Sequence, residues 1–343
     1  MMGSKGKALV AIAGALVALL AACSDFSTNA EAINPSSGGG AGVPPKLNWT
    51  ASTLPSDTPQ AYYSVIYANG QFTAVGNGLV AVSTDGFNWT AQKYFTIADM
   101  WGSSSYGNGL FVLVDINNPK AAASKDGSTW TRSALPAVDP MVETGYGTGY
   151  NSVTYGNGRF VAIGGNTKAK TAAYSIDGIT WTRSDLPSLQ NWRSVTYGDG
   201  LFVAVSSNSD AAAYSSDGVT WTATTLPRNQ SWFSVTYGNG IFVAVAISGD
   251  AVAISTDGKA WTASTLPSVQ DWRTVTYGDG LFVAIGSITS YTDGTDVAAI
   301  SADGKTWTSS TLPVSDRSWR SVTYGNGTFV AVDVNGSAVT SSK

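Results

Sequence analysis

A single word comes back seven times along this chain, and its phase limits how the chain can fold. The word is a run such as "SVTYGDG" or "SVTYGNG", with its tyrosine at Tyr67, Tyr106, Tyr155, Tyr197, Tyr237, Tyr277 and Tyr324. A second word, S-x-D-G-x-x-W-T, appears six times, with aspartates Asp85, Asp126, Asp177, Asp217, Asp257 and Asp303. After the seventh tyrosine word the chain stops before any second tryptophan. The missing piece stands at the other end, as "LNWTASTLP" (47–55), whose Trp49 is in phase with Trp89, Trp130, Trp181, Trp221, Trp261 and Trp307. An array that begins with the last strand of its unit and ends without one is expected to close on itself, which removes the exposed sheet edge.

Within a unit the strands can be read directly. "WRSVTY" alternates, a Gly-Asn-Gly or Gly-Asp-Gly turn follows, and "LFVAV" is a continuous apolar run. A variable loop then leads to "AAAYSS", Asp-Gly and "TWTATTLP". Four strands in about 40 residues is the period of a propeller blade. Asn-Gly and Asp-Gly suit hairpin turns that need positive φ. An apolar run without alternation implies a strand buried on both faces, as between stacked blades. The expected fold is all-β: a seven-bladed β-propeller of four-stranded antiparallel blades over 47–343, about 28 strands, its ring closed by the N-terminal strand. An open solenoid of hairpins would leave the split seventh unit unexplained.

The words "SIDGITWT" (175–182), "SSDGVTWT" (215–222) and "SADGKTWT" (301–308) resemble the Asp-box repeat of BNR-type propellers, which include sialidases. The resemblance extends over all six units, although the usual spacer between Asp and Gly is absent. It implies a structural turn between the third and fourth strands and is silent on activity. Asp85, Asp126, Asp177, Asp217, Asp257 and Asp303 are therefore expected to hold backbone N–H groups in turns. The tryptophans that follow them are expected to pack between blades.

The N-terminus carries an address. Residues 1–22, "MMGSKGKALVAIAGALVALLAA", place two lysines before a short apolar run ending in small residues. That is a secretory signal rather than a spanning helix. Leu20-Ala21-Ala22-Cys23 resembles the bacterial lipobox, which implies cleavage before Cys23 and lipidation on it. Cys23 is the only cysteine, so it cannot form a disulfide within the chain. Several acyl chains would anchor it durably, each buried methylene adding roughly 0.8 kcal/mol. By resemblance to Gram-negative lipoprotein sorting, Ser24 after the cysteine implies the outer membrane. Residues 23–46 are rich in Gly, Ser and Pro and read as a flexible tether spanning roughly 25–30 Å.

Composition removes several function classes. There is no histidine, which excludes His-based acid–base catalysis, Ser-His pairs and His metal sites. The net charge is −4, and without Lys5 and Lys7 the balance is 17 basic against 23 acidic. No clustered Lys and Arg footprint for nucleic acid is evident.

Chain direction sorts the loops into two faces. The two near-invariant turns share one face, and the variable connections, with insertions at 137–150 and 286–298, share the other. Function usually resides on such variable loops. Five residues before each turn tyrosine stand Tyr62, Trp101, Tyr150, Trp192, Trp232, Trp272 and Trp319, and arginine follows three of them, as Arg193, Arg273 and Arg320. If the first strand lines the axis, these residues ring the mouth of a central channel. One reading fills interblade wedges with the aromatics and packs the arginines over them. The other makes the ring a ligand site, aromatic faces stacking on sugars and guanidinium groups bonding hydroxyls or carboxylates. Repeated Trp-Arg pairs would then gain by multivalency.

A sialidase-like glycoside hydrolase is the enzyme class the Asp-box resemblance brings in. It implies an arginine cluster, a Tyr/Glu nucleophile pair and an Asp acid. No arginine precedes Arg132, the early Arg-Ile-Pro word is missing, and beyond the tether's Glu31 the one glutamate is Glu143. A two-carboxylate mechanism would fall to loop aspartates such as Asp139, Asp271 or Asp316. The expected function is instead non-catalytic: a lipid-anchored envelope module, monomeric, binding glycan or protein on the variable face without cofactor or metal. A scaffold for assembling envelope complexes is the alternative, since photosystem II assembly factors also resemble BNR-type propellers. "YTDGTD" (291–296) is as much ordinary loop composition as a cation loop.

Overall fold

The structure is a computed structural model that describes residues 46–342 apart from 56–60, 93–94, 97, 140–147, 166–167, 288–296 and 315–316. The signal, Cys23, most of the tether, Glu143, Asp316 and "YTDGTD" lie outside the described residues.

Each repeat folds into antiparallel strands in chain order. Tyr62–Ala68, Gln71–Gly76, Val80–Ser83 and Thr90–Gln92 form one four-stranded sheet, and Trp101–Gly107 to Thr131–Ala134 forms the next. From Tyr150 to Thr311 thirteen strands are linked by pairing. Three of these, Thr182–Gly198, Thr222–Gly238 and Thr262–Gly278, are 17 residues long and serve two sheets each. Thr182 to Asp185 pairs outward with Thr171 to Tyr174, while Asn191 to Gly198 pairs inward with Leu201 to Ser207. The sequence reading placed a loop between such halves. At these three junctions the chain stays extended, because Gln190, Gln230 and Gln270 each pair with the start of the preceding strand. The last sheet runs Asn48–Thr53, Ser337–Ser342, Thr328–Asp333, Trp319–Gly325, so the N-terminal strand is paired to the C-terminal one. The architecture is an all-β propeller.

Why this sequence folds so is visible at the turns. Asn69 and Gly70 have φ of 52° and 76°, and the same pair of positive angles recurs through Asn326 and Gly327. Two successive positive φ values define the type I′ hairpin, which Asn-Gly and Asp-Gly tolerate best. The glycine before the turn has a different cause. A Cβ on Gly198 would lie 2.0 Å from Cγ of Tyr237, and the same clash places Tyr277 on Gly238 and Tyr67 on Gly325. Each such tyrosine thus lies flat on the glycine of the preceding unit. The Tyr-Gly word is an interunit contact written twice per repeat.

The inner strands are also clamped by hydroxyls. Val195 N–H donates to Ser152 Oγ, Val235 N–H to Ser194 Oγ, Val275 N–H to Ser234 Oγ and Val322 N–H to Thr274 Oγ1, all at 3.1–3.3 Å. Val65 N–H donates to Ser321 Oγ at 3.1 Å, joining the first unit to the last. The second strands are fully buried on both faces, as with Phe202, Val203, Ala204 and Val205.

The six aspartate turns share one geometry. Asp177 Oδ1 accepts from the N–H groups of Ile179 and Thr180 at 2.9 and 2.7 Å, while Ser175 Oγ accepts from Gly178 N–H at 2.8 Å. These donors hold the carboxylates ionised. Backbone N–H groups of Thr129 and Ser128 lower Asp126 to about 2, and that of Thr180 leads in lowering Asp177 to about 2. A carboxylate with a depressed folded-state pKa stabilises above its unfolded value of about 3.9 and loses that contribution as pH falls toward 2. The melting temperature is expected to drop between pH 4 and 2, with a shallower slope in D126N/D177N. Because these turns are open to solvent, each contributes modestly.

Candidate functional site

The seven aromatics that head the inner strands do not offer their faces to solvent. Tyr62, Trp101, Tyr150, Trp192, Trp232, Trp272 and Trp319 are all at 0% exposure. In five of them the polar tip bonds a carbonyl earlier in the chain: Trp192 Nε1–H donates to Ser188 O at 3.1 Å, Trp232 to Arg228 O at 3.2 Å, Trp272 to Ser268 O at 3.1 Å, Tyr62 Oη–H to Pro55 O at 2.7 Å and Tyr150 Oη–H to Pro136 O at 2.9 Å, while Trp101 and Trp319 bury their N–H without a partner. The expectation that they stack on sugar rings is corrected by this burial. Each fills the wedge between neighbouring sheets, as Trp232 does among Val205, Leu226 and Ala246.

The residue after each aromatic has a different fate. Every inner strand breaks register there: between Trp192 and Ser194, Trp232 and Ser234, Trp272 and Thr274, and equally in the other four units. A β-bulge of this kind leaves one residue unpaired and re-aims its side chain. The side chains so released are Tyr63, Asn151, Arg193, Phe233, Arg273 and Arg320, while the second unit has Gly102. A cavity of 360 Å³ is lined by Tyr63, Gly102, Ile116, Asn151, Arg193, Phe233 and Arg320. Six of its seven lining residues occupy this bulge position, so the bulges converge on one cavity, hereafter the mouth. Ile116 fills the place a side chain at 102 would take, since a Cβ there would lie 1.9 Å from its Cγ2.

The ring is electrostatically lopsided. Successive inner strands supply Arg193, Phe233, Arg273 and Arg320 on one arc; Tyr63, Gly102 with Ile116, and Asn151 make the other. The guanidinium carbons of Arg193 and Arg273 lie over the Phe233 ring at 4.7 and 5.4 Å from its centroid. Arg273 also meets Asp271 at 2.9 Å. Burial first, then repulsion from Arg273, lowers the pKa of Arg193. The same two causes, with Arg193 added, bring Arg320 down to about 10. Both remain cationic near neutrality, but in surroundings that disfavour their charge. On the other arc, Asn151 Nδ2–H donates to Gly165 O and Trp192 O at 2.8 and 2.7 Å.

The structure thus separates the Trp-Arg pair: the aromatic goes to the core, the arginine to the mouth. Tyr63, Asn151 and Phe233 were missed in the sequence because strict alternation hides a bulge; the signal was their constant place after the aromatic. Two of the three loop aspartates raised for a hydrolase are ion-paired, Asp271 with Arg273 and Asp139 with Arg183. Among the described residues no three His, Cys, Asp or Glu side chains gather as a metal site requires.

Residues 36–185 match a family described as the DUF6242 beta propeller domain. No curated protein sequence matches the chain. Among solved structures, virginiamycin B lyase from Staphylococcus aureus is similar at a TM-score of 0.72 and 12% identity, over 87% of this chain and 100% of that one. The structure described as YCF48 bound to D1 peptide is similar at a TM-score of 0.65 and 16% identity, over 86% and 97% of the two chains. The WD40 beta propeller domain of Doa1 follows at 0.61 and 15%, over 86% and 97%. At such identities the likeness carries the fold alone. It defines the class, a β-propeller, whose architecture fits a protein-interaction module.

Proposed function

We propose that this protein is a non-catalytic recognition module of the bacterial envelope, anchored through lipid on Cys23 to the outer membrane, and presenting the mouth of a seven-bladed ring to a protein partner. The observation that carries the reading is the cavity on which the bulge positions of six of the seven repeats converge. The bulge that seats each aromatic in its wedge also turns the next position toward one shared cavity, the convergence of polar and apolar side chains that a binding site requires. Closure of the ring by the N-terminal strand is supported by the pairing of Asn48–Thr53 with Ser337–Ser342 and by Tyr67 seated on Gly325. A protein partner is favoured over glycan because the rings needed to stack on sugars are buried. The neighbour described as bound to a D1 peptide supports the same choice at the level of fold, and leaves room for a role in assembling envelope complexes.

The test immobilises the full-length chain in detergent and captures partners from envelope extract of its own cells. Capture is expected to persist in Asn239→Ala, on the opposite turn face, and to fail in a Tyr63→Ala/Phe233→Ala variant that melts normally. Equal capture by both variants would contradict the reading. A Cys23→Ser chain remaining in the membrane fraction would remove the anchor.

A further inference from the structure

Resting on the recognition reading, we propose that the mouth takes an acidic peptide segment, its carboxylate seated between Arg193 and Arg320 and its apolar neighbours against Tyr63 and Ile116. The charge pattern comes first. The chain is acidic, with a net charge of −4, yet three arginines converge on one arc. None of the described residues lining the cavity is acidic, and Asp271, beside it, is engaged with Arg273. The Nε atoms of Arg273 and Arg320 are buried without a hydrogen-bond partner. Half-buried guanidinium groups that repel one another lower stability unless an anion lies between them. A carboxylate arriving between them relieves the repulsion and matches the planar donor fork of arginine.

The stacking geometry decides between peptide and sugar. Phe233 lies under two guanidinium groups, which holds them flat and leaves it unsuited to receive a sugar ring. The opposite arc is uncharged, so an anion has one side to choose and its neighbours have the other. The rim adds a second apolar feature. Leu189 and Val269 are 52% and 58% exposed, each three residues before the buried tryptophan of a 17-residue strand. Each lies four residues from its arginine, about 13 Å along an extended strand. A peptide continuing out of the mouth would pass over them. A small anion would make no use of them.

A random heptapeptide display library, selected on the full-length protein in detergent, tests this. The enriched peptides are expected to carry Asp or Glu beside apolar residues, and a synthetic copy is expected to bind more weakly as salt rises. Arg193→Gln/Arg320→Gln is expected to weaken that peptide at least tenfold, as loss of charged hydrogen bonds does. The same variant should melt no lower than the parent, since a costly pair of charges is gone. Lysine at both positions should restore part of the affinity. A peptide with Glu→Gln, tested on the unaltered protein, should lose at least tenfold and does not depend on any variant folding. Peptides without acidic residues that still need Tyr63 and Phe233 would overturn the acidic ligand and leave recognition at the mouth standing. Peptides indifferent to all these positions, or tighter binding of an oligogalacturonate than of any peptide, would overturn the proposal.

Discussion

Trp232→Ala is expected to cost about 3–5 kcal/mol of stability, the range for removing a buried tryptophan from a packed core. The indole is at 0% exposure among Val205, Leu226, Val235 and Ala246, and its N–H is satisfied by Arg228 O. Trp272→Ala should behave alike, because Trp272 holds the same place with Val245, Leu266 and Val275 in the next wedge, and its N–H donates to Ser268 O at 3.1 Å. Denaturant unfolding of both variants checks the figure. A ligand-stacking tryptophan would give the opposite signature, weaker binding with an unchanged midpoint. The contrast with Arg193→Gln/Arg320→Gln, which should melt normally, separates the two halves of the Trp-Arg pair by experiment.

Deleting residues 47–54 from the full chain is expected to be larger still. Leu47 and Leu54 are 3% and 1% exposed, and the strand between them pairs through six positions with the C-terminal strand. Trp49 Nε1–H reaches Ser310 Oγ at 3.3 Å, tying this strand to the neighbouring unit as well. Two buried leucines alone represent about 3–6 kcal/mol, before the lost ladder. Ser337–Ser342 would become an open edge, and open edges recruit other chains. The expected result is a lower denaturation midpoint with concentration-dependent association, both reversed by adding the 47–54 peptide. An unchanged, monomeric protein would show that the ring does not need its N-terminal strand.

Much of this was legible in the sequence for a physical reason. Type I′ turns and doubly buried strands restrict residue choice so tightly that "YGNG" and "LFVAV" announce themselves. The missing tryptophan after Tyr324 and the surplus Trp49 pointed to the strand pairing that is seen. What alternation could not reveal was the bulge. In "WRSVTY" a regular strand would set Trp192 and Arg193 on opposite faces and leave the choice of site to guesswork. One unpaired residue lets Trp192 enter the wedge while Arg193 enters the mouth. The extended junctions through Pro187, Pro227 and Pro267 were also hidden, because proline reads as loop and yet its fixed φ suits an unpaired stretch of strand.

The most direct measurement places a photo-crosslinking amino acid at Tyr63 in living cells and, separately, at Asn239 on the face of the invariant turns. The account predicts a discrete crosslinked partner from position 63, lost when Arg193 and Arg320 are both glutamine, and none from position 239. A partner trapped from 239 and not from 63, or one indifferent to the arginines, would contradict it.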